Sequence, residues 1–567
     1  MANLCVLVWV RRPRLVLRRL NVPALGQSPC SRRRPFYHHN MPQAAPAVRP
    51  RRNLLALAVS LLISAAFCAP DVLADDYTDR ANKSYGDIPA NRRSDTVLIP
   101  LLLKLEPAPP ALKKQYAATM LLTDMTGWAE AAKWAAGAPQ QEAIKSLASV
   151  TQEKDWRKAF GFGQPYGLDG VDLPLIQAGA YTDLGDPPTL AAAKVGYLPL
   201  LDSLMILVNV EATRLTSEGK VNEAIDLLTN GLFFARQIAE RQLHVEMMWG
   251  MTQMHSLAER VRDVVYLDSL SANKLDTTKL LEQIKRLDDR SNAYLDLLRV
   301  KFPVGDRAAA EQLVARIYSS GNLVDPQVFA STMSRLTSTT RPLRLFSESG
   351  KWRSVGSSQA AKAEAITQTG AIFADWETRW NIPLFDRRLT NLSAYQTMDN
   401  SRFASLHAIV PDASTAYGLR VLTRVELIGT RHALAVMGHR KNIGQFPPQL
   451  SSVRPGFLKE IEADPFNRDT ANGQKPPLGY FVPVRDTEFI NGKGNPHDMK
   501  IVVLGRPFDR RFQEETFIMY SVGSDNAGNN AKRLQNTFDV VQGADYLIWP
   551  PVLSLARQHL IDEGELK

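Results

Sequence analysis

Cysteine is nearly missing from this chain. There are three, at Cys5, Cys30 and Cys68, and none follows. Everything after Cys68 is therefore without disulfides, thiol nucleophiles or zinc–thiolate centres. Three sequence signatures are also missing: Gly-x-Ser-x-Gly, the phosphate-binding loop and the dinucleotide fingerprint. No His-Glu-x-x-His pair occurs either. These absences remove the commonest local marks of hydrolases, nucleotide-binding proteins and metalloproteases. The apolar run from Leu54 to Ala69 has 16 residues, whereas a bilayer core needs about 20.

That run has basic residues before it (Arg51-Arg52-Asn53) and small residues after it, ending Val72-Leu73-Ala74 ahead of Asp75-Asp76. This is the three-part layout of a secretory signal. The expectation is cleavage near Asp75; an uncleaved anchor is the alternative, and would give the chain its one contact with a membrane. The arginine pair loosely resembles a twin-arginine signal. Cys68 does not fit a lipoprotein site, because the bulky Phe67 precedes it. The arginine-rich residues 1–40 read as an extended leader, or as a stretch upstream of a true start at Met41.

The leader carries the charge imbalance. The whole chain has 68 basic and 58 acidic residues, and residues 1–74 hold eleven arginines and one acid, Asp71. The rest balances at 57 of each sign. No phosphate-binding footprint is expected, and hence no nucleic-acid partner.

The chain after the leader reads as mainly α. Residues 75–190 form an N-terminal helical segment with loops, in which Trp128 and Trp134 are expected to be buried. Gly161–Pro188 is rich in Gly, Pro and Asp and reads as a long surface loop. Residues 191–410 form a helical body. Leu201, Leu204, Met205, Val208, Ala212 and Leu215 share one helical face. Ala224, Ile225, Leu228, Leu232, Ala235 and Ile238 share a second, across a turn at Glu218-Gly219-Lys220. Met247, Met251, Met254, Ala258, Val261 and Val265 make a third. Leu280, Ile284, Leu287, Tyr294 and Leu298 make a fourth, after a cap at Asp276. Four such helices with short connections pack as a bundle or a short α-superhelix. The Gly219–Leu228 segment resembles the turn of tetratricopeptide-type repeats, but no second copy follows at a fixed period. Ser347–Gln359 reads as the flexible stretch of the body.

Composition shifts near Pro411. A long helix is expected from about Ala413 to Lys441. Short strands are expected at Leu478–Val484, Met499–Leu504, Thr516–Val522 and Phe538–Val541, giving a small α+β domain over 411–567.

Five segments of that domain occur in a telling order: Gly444-Gln445-Phe446-Pro447-Pro448-Gln449-Leu450, Asp464-Pro465-Phe466, Gly479-Tyr480-Phe481, Tyr520-Ser521-Val522-Gly523-Ser524-Asp525 and Phe538-Asp539-Val540-Val541. Together they resemble the head domain of type II secretion pseudopilins. The resemblance covers about a quarter of the chain. It departs from the family at the start, where helical residues stand in place of an apolar assembly helix. The whole layout resembles exported planctomycete-type bacterial proteins with a helical body and a pseudopilin-like end. It implies a fold and a periplasmic, cell-surface or secreted location, not an activity.

Some heads of that family bind calcium after the Ser-x-Gly-x-Asp turn. Here the carboxylates on offer are Asp525 and Asp539, with Asn526, Asn529 and Asn530 between them. Calcium takes six to eight oxygens, and Lys532 and Arg533 intrude. The other reading is an Asx-rich turn. His432 and His439 share a helical face, as do His244 and His255; hydrogen-bonded histidines at a core edge are the simpler reading than metal ligands. The Met247–Met254 stripe reads as core filler rather than a copper site. No catalytic residue can be assigned. The expectation is a non-enzymatic exported protein whose helical body binds a protein partner of the cell envelope. A hydrolase of the periplasm or cell surface and an accessory part of a secretion machine are the alternatives.

Overall fold

Three of the four body stripes, and the fourth as far as Leu287, are the buried faces of helices. The structure is a computed structural model that describes residues 76–567, apart from 113–114, 154, 156–157, 272, 289–299, 339–344, 469–474, 488–493, 504 and 536–543. The leader, with its three cysteines, lies outside the described residues, as do Tyr294, Leu298 and the segment Phe538–Val541.

The N-terminal region contributes α1 (Asp76–Gly86), α2 (Ser94–Leu102), α3 (Gln115–Met120), α4 (Trp128–Ala135), α5 (Ala138–Ser149) and the short α6 (Leu173–Gln177). Trp134 is buried and Trp128 half-buried. The Gly161–Pro188 segment departs from a surface loop. It tucks Phe162, Tyr166, Leu175 and Leu184 into the interior, and a two-residue strand β1 (Thr182–Asp183) pairs with β2 (Lys194–Val195). Its glycines signal turns correctly, since Gly167, Gly170, Gly179 and Gly185 all have positive φ. Turns do not exclude burial of the aromatic residues between them.

The body helices are α7 (Leu198–Ser217), α8 (Val221–Ala239), α9 (His244–Leu270) and α10 (Thr277–Leu287). Gly219 makes the α7–α8 turn at φ +75°, a conformation open to glycine at little cost. Asp276 caps α10, accepting from the backbone N–H of Thr278 at 2.8 Å; a side-chain cap of this kind satisfies an otherwise orphaned donor. Helices α8 and α9 lie very close. A Cβ added at Gly250 would collide with the backbone of Ala235 and Ala239.

A second core follows, from α11 (Gly305–Ile317), α12 (Pro326–Ser338), α13 (Leu345–Gly356), α14 (Lys362–Asn381) and α15 (Ala404–Ile409). Here Ser347–Gln359 departs from the flexible reading: most of it is α13. The reason is one residue. Trp352 is buried edge-on against Phe329, ring centres 5.9 Å apart, and anchors an otherwise polar helix.

Helix α16 (Ala413–Ile443) begins at a cap from Asp412 and stops at Gly444, φ +85°. Only one stripe of it reads as apolar in the sequence. In the structure it is buried on several faces between Val425 and Met437, because α9, α10 and the C-terminal strands surround it. Strands β3 (Gly479–Phe481), β6 (Ile518–Ser521) and β8 (Tyr546–Trp549) form one antiparallel sheet in the order β3-β6-β8. Strands β4 (His497–Val503), β5 (Arg506–Phe512) and β7 (Arg533–Gln535) form another, with β7 parallel to β4. Strands β5 and β8 and the terminal helix α17 (Val552–Asp562) have no counterpart in the sequence reading. Among the described residues no helix is long and apolar enough to cross a membrane. The protein is mainly α with a few short strands.

Candidate binding cleft

The interior charges come first, because most are committed to one another. Glu246 on α9 accepts from Tyr166 at 2.5 Å, from Arg241 at 2.7 Å and from Tyr197. The Arg241 guanidinium lies 3.9 Å from the Tyr85 ring centre, so the knot ties α1 to α9. Asp263 pairs with Arg260 and, at 2.8 Å, with Arg557 of α17, and accepts from Ser554. Burial by itself would raise the Asp263 carboxyl, but the two guanidinium groups outweigh it and hold the group down at about 2. A third knot joins α9, α16 and β8. His255 shares a 2.8 Å hydrogen bond with Tyr546, Tyr546 donates to Glu426 at 2.5 Å, and Arg262 pairs with Glu426. Glu259, one turn after His255, accepts from the Leu553 N–H at 2.8 Å, and burial pushes its carboxyl up to about 7. Burial pushes His255 down.

Four of the five C-terminal segments that carry the family resemblance come together in space; the fifth, Phe538–Val541, lies outside the described residues. Asp464 of the Asp-Pro-Phe turn accepts from Ser521 Oγ at 2.7 Å and from the Val522 N–H at 3.0 Å. Tyr480 donates to the Pro447 carbonyl at 2.8 Å. Arg468 N–H donates to Asn526 at 2.8 Å. Asp525 accepts from the Ala527 N–H at 3.0 Å, and Asn529 Oδ1 accepts from Lys532 N–H at 2.8 Å, as in Asx turns. The carboxylate that organises this loop is Asp545, which accepts from Asn529 and Ala531 N–H groups and is pushed up to about 6 by burial. Its sequence signal is slight: one acid beside the apolar run Tyr546-Leu547-Ile548-Trp549. Asp539 lies outside the described residues. Among the described residues no group of three or more His, Cys, Asp or Glu converges on a metal-sized space.

The histidines take varied roles. His432 is buried on α16 and accepts from the Glu462 N–H at 3.4 Å; burial drives its ring down to about 3. His244 is likewise lowered by burial, to about 4. Met247, Met251 and Met254 are fully buried core.

One open cavity, of about 510 Å³, lies along α16. Its walls are the 380–384 segment, which runs off the end of α14, the end of α10 at Leu287, and the turn 462–465. Its apolar lining includes Ile382, Leu384, Val421 and Ile428. Its polar lining is mostly cationic: Arg420, Arg424, Arg431 and Lys475 against Glu462 and Asp464. These charges differ in availability. Arg431 is engaged by Asp288 at 3.0 Å and by Glu462. Asp464 is spent on the hydrogen bonds above. Arg420 donates to the Trp380 carbonyl at 2.5 Å, and its guanidinium lies 4.7 Å from the Trp380 ring centre. Arg424 and Lys475 are exposed, and neither has a carboxylate partner among the described residues. The sequence held a signal for this site. Residues 420, 424 and 431 are spaced four and seven apart, one face of a helix, by the same rule applied above to the histidines.

The chain matches no protein-family model, no curated protein and no solved structure.

Proposed function

We propose that this chain is an exported, non-catalytic interaction protein of the cell envelope, and that the cleft along α16 is where a protein partner docks. The observation that carries the reading is the pair of exposed cations, Arg424 and Lys475, at the mouth of an apolar cleft, set against interior charges that are paired. Glu246, Asp263 and Glu426 are consumed by contacts inside the packing. The cleft instead offers two cations that have no carboxylate partner among the described residues, beside aliphatic walls, the mix that specific protein interfaces use for steering and for burial. The leader supports export, with release after cleavage near Asp75. The C-terminal domain is proposed as a pseudopilin-like head that caps the body. Calcium at Asp525 and Asp539 is a proposal from the resemblance; a melting shift in millimolar calcium tests it.

A second reading, an accessory part of a secretion machine, draws on the way the family-like segments interlock around Asp464 and Tyr480.

Affinity purification of the tagged protein from its own envelope tests the first reading. The expected result is a partner recovered with the wild type and lost with Arg424→Glu plus Lys475→Glu. An exposed charge reversal elsewhere, Lys301→Glu, should leave recovery unchanged. Recovery unaffected by the cleft variant contradicts the reading, as does turnover of ester, peptide or glycoside substrates by the purified protein.

A further inference from the structure

The cleft also says what kind of partner segment it takes. We infer that it binds an extended acidic peptide segment in which carboxylates alternate with aliphatic side chains; this rests on the partner-docking reading above. Charge fixes the first half. The accessible polar groups are Arg424 and Lys475, with Arg420 held beside them on Trp380. The lining carboxylates are already used, Glu462 by Arg431 and Asp464 by Ser521 and Val522. A carboxylate entering the cleft meets guanidinium and ammonium groups without a competing free acid among the described residues. Arginine grips a carboxylate in a two-bond fork.

The walls fix the second half. The bases of single-stranded nucleic acids are read by stacking on open aromatic faces. Here the Trp380 ring is covered. Arg420 lies over it, Phe302 packs on it at 5.8 Å, and its N–H is donated to the Val300 carbonyl at 3.0 Å. Tyr417 approaches it edge-on at 6.5 Å. What remains for a ligand to touch is mainly aliphatic, Ile382, Leu384 and Val421, beside the half-buried Tyr417, whose ring edge is turned to Trp380. Such walls suit leucine- or valine-sized side chains. The cavity of about 510 Å³ has room for a few residues of chain, so the contact is a short linear segment rather than a folded domain.

The test is fluorescence anisotropy on the whole exported chain. The probe is a short labelled peptide alternating Glu and Leu. Comparators are the matching Gln–Leu peptide, a Glu–Ser peptide, an oligogalacturonate and inorganic phosphate. The expected result is binding of Glu–Leu at low salt, weakened about tenfold or more for each of the two altered peptides and falling with ionic strength. Arg424→Glu should weaken it about tenfold or more. Arg424→Gln and Lys475→Gln should each do so by less; both side chains are exposed, and circular dichroism confirms that the variants fold. Equal binding of Gln–Leu, or an oligogalacturonate bound as tightly as the peptide, overturns the inference. If the envelope partner is lost with the cleft variant yet carries no acidic-aliphatic segment, this inference falls while the docking reading stands.

Discussion

The two helical cores solve the same packing problem with different chemistry. The larger core, built on α7–α10, α16 and the C-terminal elements, buries Arg241, Arg260, Arg262 and Arg557 with Glu246, Asp263 and Glu426 among its aliphatics. The second core, α11–α15, buries no charged side chain among the described residues. It relies on an aromatic chain instead, in which Phe302, Phe373, Trp376 and Tyr395 lie with ring centres 5.3–6.2 Å apart. A buried ion pair is costly to desolvate and ruinous to break. Its use where four or five segments meet ties distant parts of the chain to one arrangement. Asp263 and Arg557 are 294 positions apart. The second core closes over a much shorter stretch and does without such ties.

The sharpest way to break this comparison is to remove one partner from each core. Asp263→Asn leaves Arg260 and Arg557 buried without a counter-ion. It should cost about 3–5 kcal/mol in denaturant unfolding. Trp376→Ala should cost about as much by cavity formation, about 3–5 kcal/mol, but with no dependence on salt or pH. The Asp263→Asn loss should be full above about pH 4 and shrink as pH falls toward 2, where Asp263 itself protonates; a loss unchanged down to pH 2 would show that the Asp263 knot is packing rather than charge.

Glycine sharpens the contrast next. In α9, Gly250→Ala drives a methyl into the Ala239 backbone; a loss of about 1–3 kcal/mol or more is expected, since backbone cannot yield like a side chain. In α14, a methyl on Gly370 would meet nothing within 4 Å, so Gly370→Ala should stabilise by about 0.5–1 kcal/mol.

The last effect concerns pH. Burial raises Glu259 to about 7. Its native state favours the protonated form, so its contribution is full below the ordinary carboxyl range and is lost as pH rises toward 7. Glu259→Gln should remove that loss and flatten the stability profile between pH 5 and about 7. His432, lowered to about 3, acts in the opposite sense. Its contribution is full above the ordinary imidazole range and fades on acidification. An unchanged profile for Glu259→Gln would show that the carboxyl is not held neutral.

These effects also mark where the sequence was readable. The helices α7 to α10 were legible because burial there repeats every three or four residues, and the Asp276 cap and Gly219 turn are local devices. The long helix α16 was legible in length but not in role, because a single stripe does not reveal that other elements wrap it. The charge knots were illegible for a physical reason: Glu246 with Tyr166, or Glu426 with Tyr546, are paired by tertiary packing across 80 and 120 positions. Strand β8 and helix α17 hid in one apolar run of mixed period. The cleft was half legible. Its three arginines share a helical face in sequence, but only the fold brings Ile382 and Leu384 against them and spends Glu462 and Asp464 elsewhere.

Hydrogen–deuterium exchange with and without the Glu–Leu peptide tests the central claim most directly, that the cleft along α16 is the functional surface. The account predicts slowed exchange in residues 380–384, in the first half of α16 and at the 462–465 turn, abolished by Arg424→Glu. Protection confined to another face, or the same protection in the Arg424→Glu variant, would contradict it.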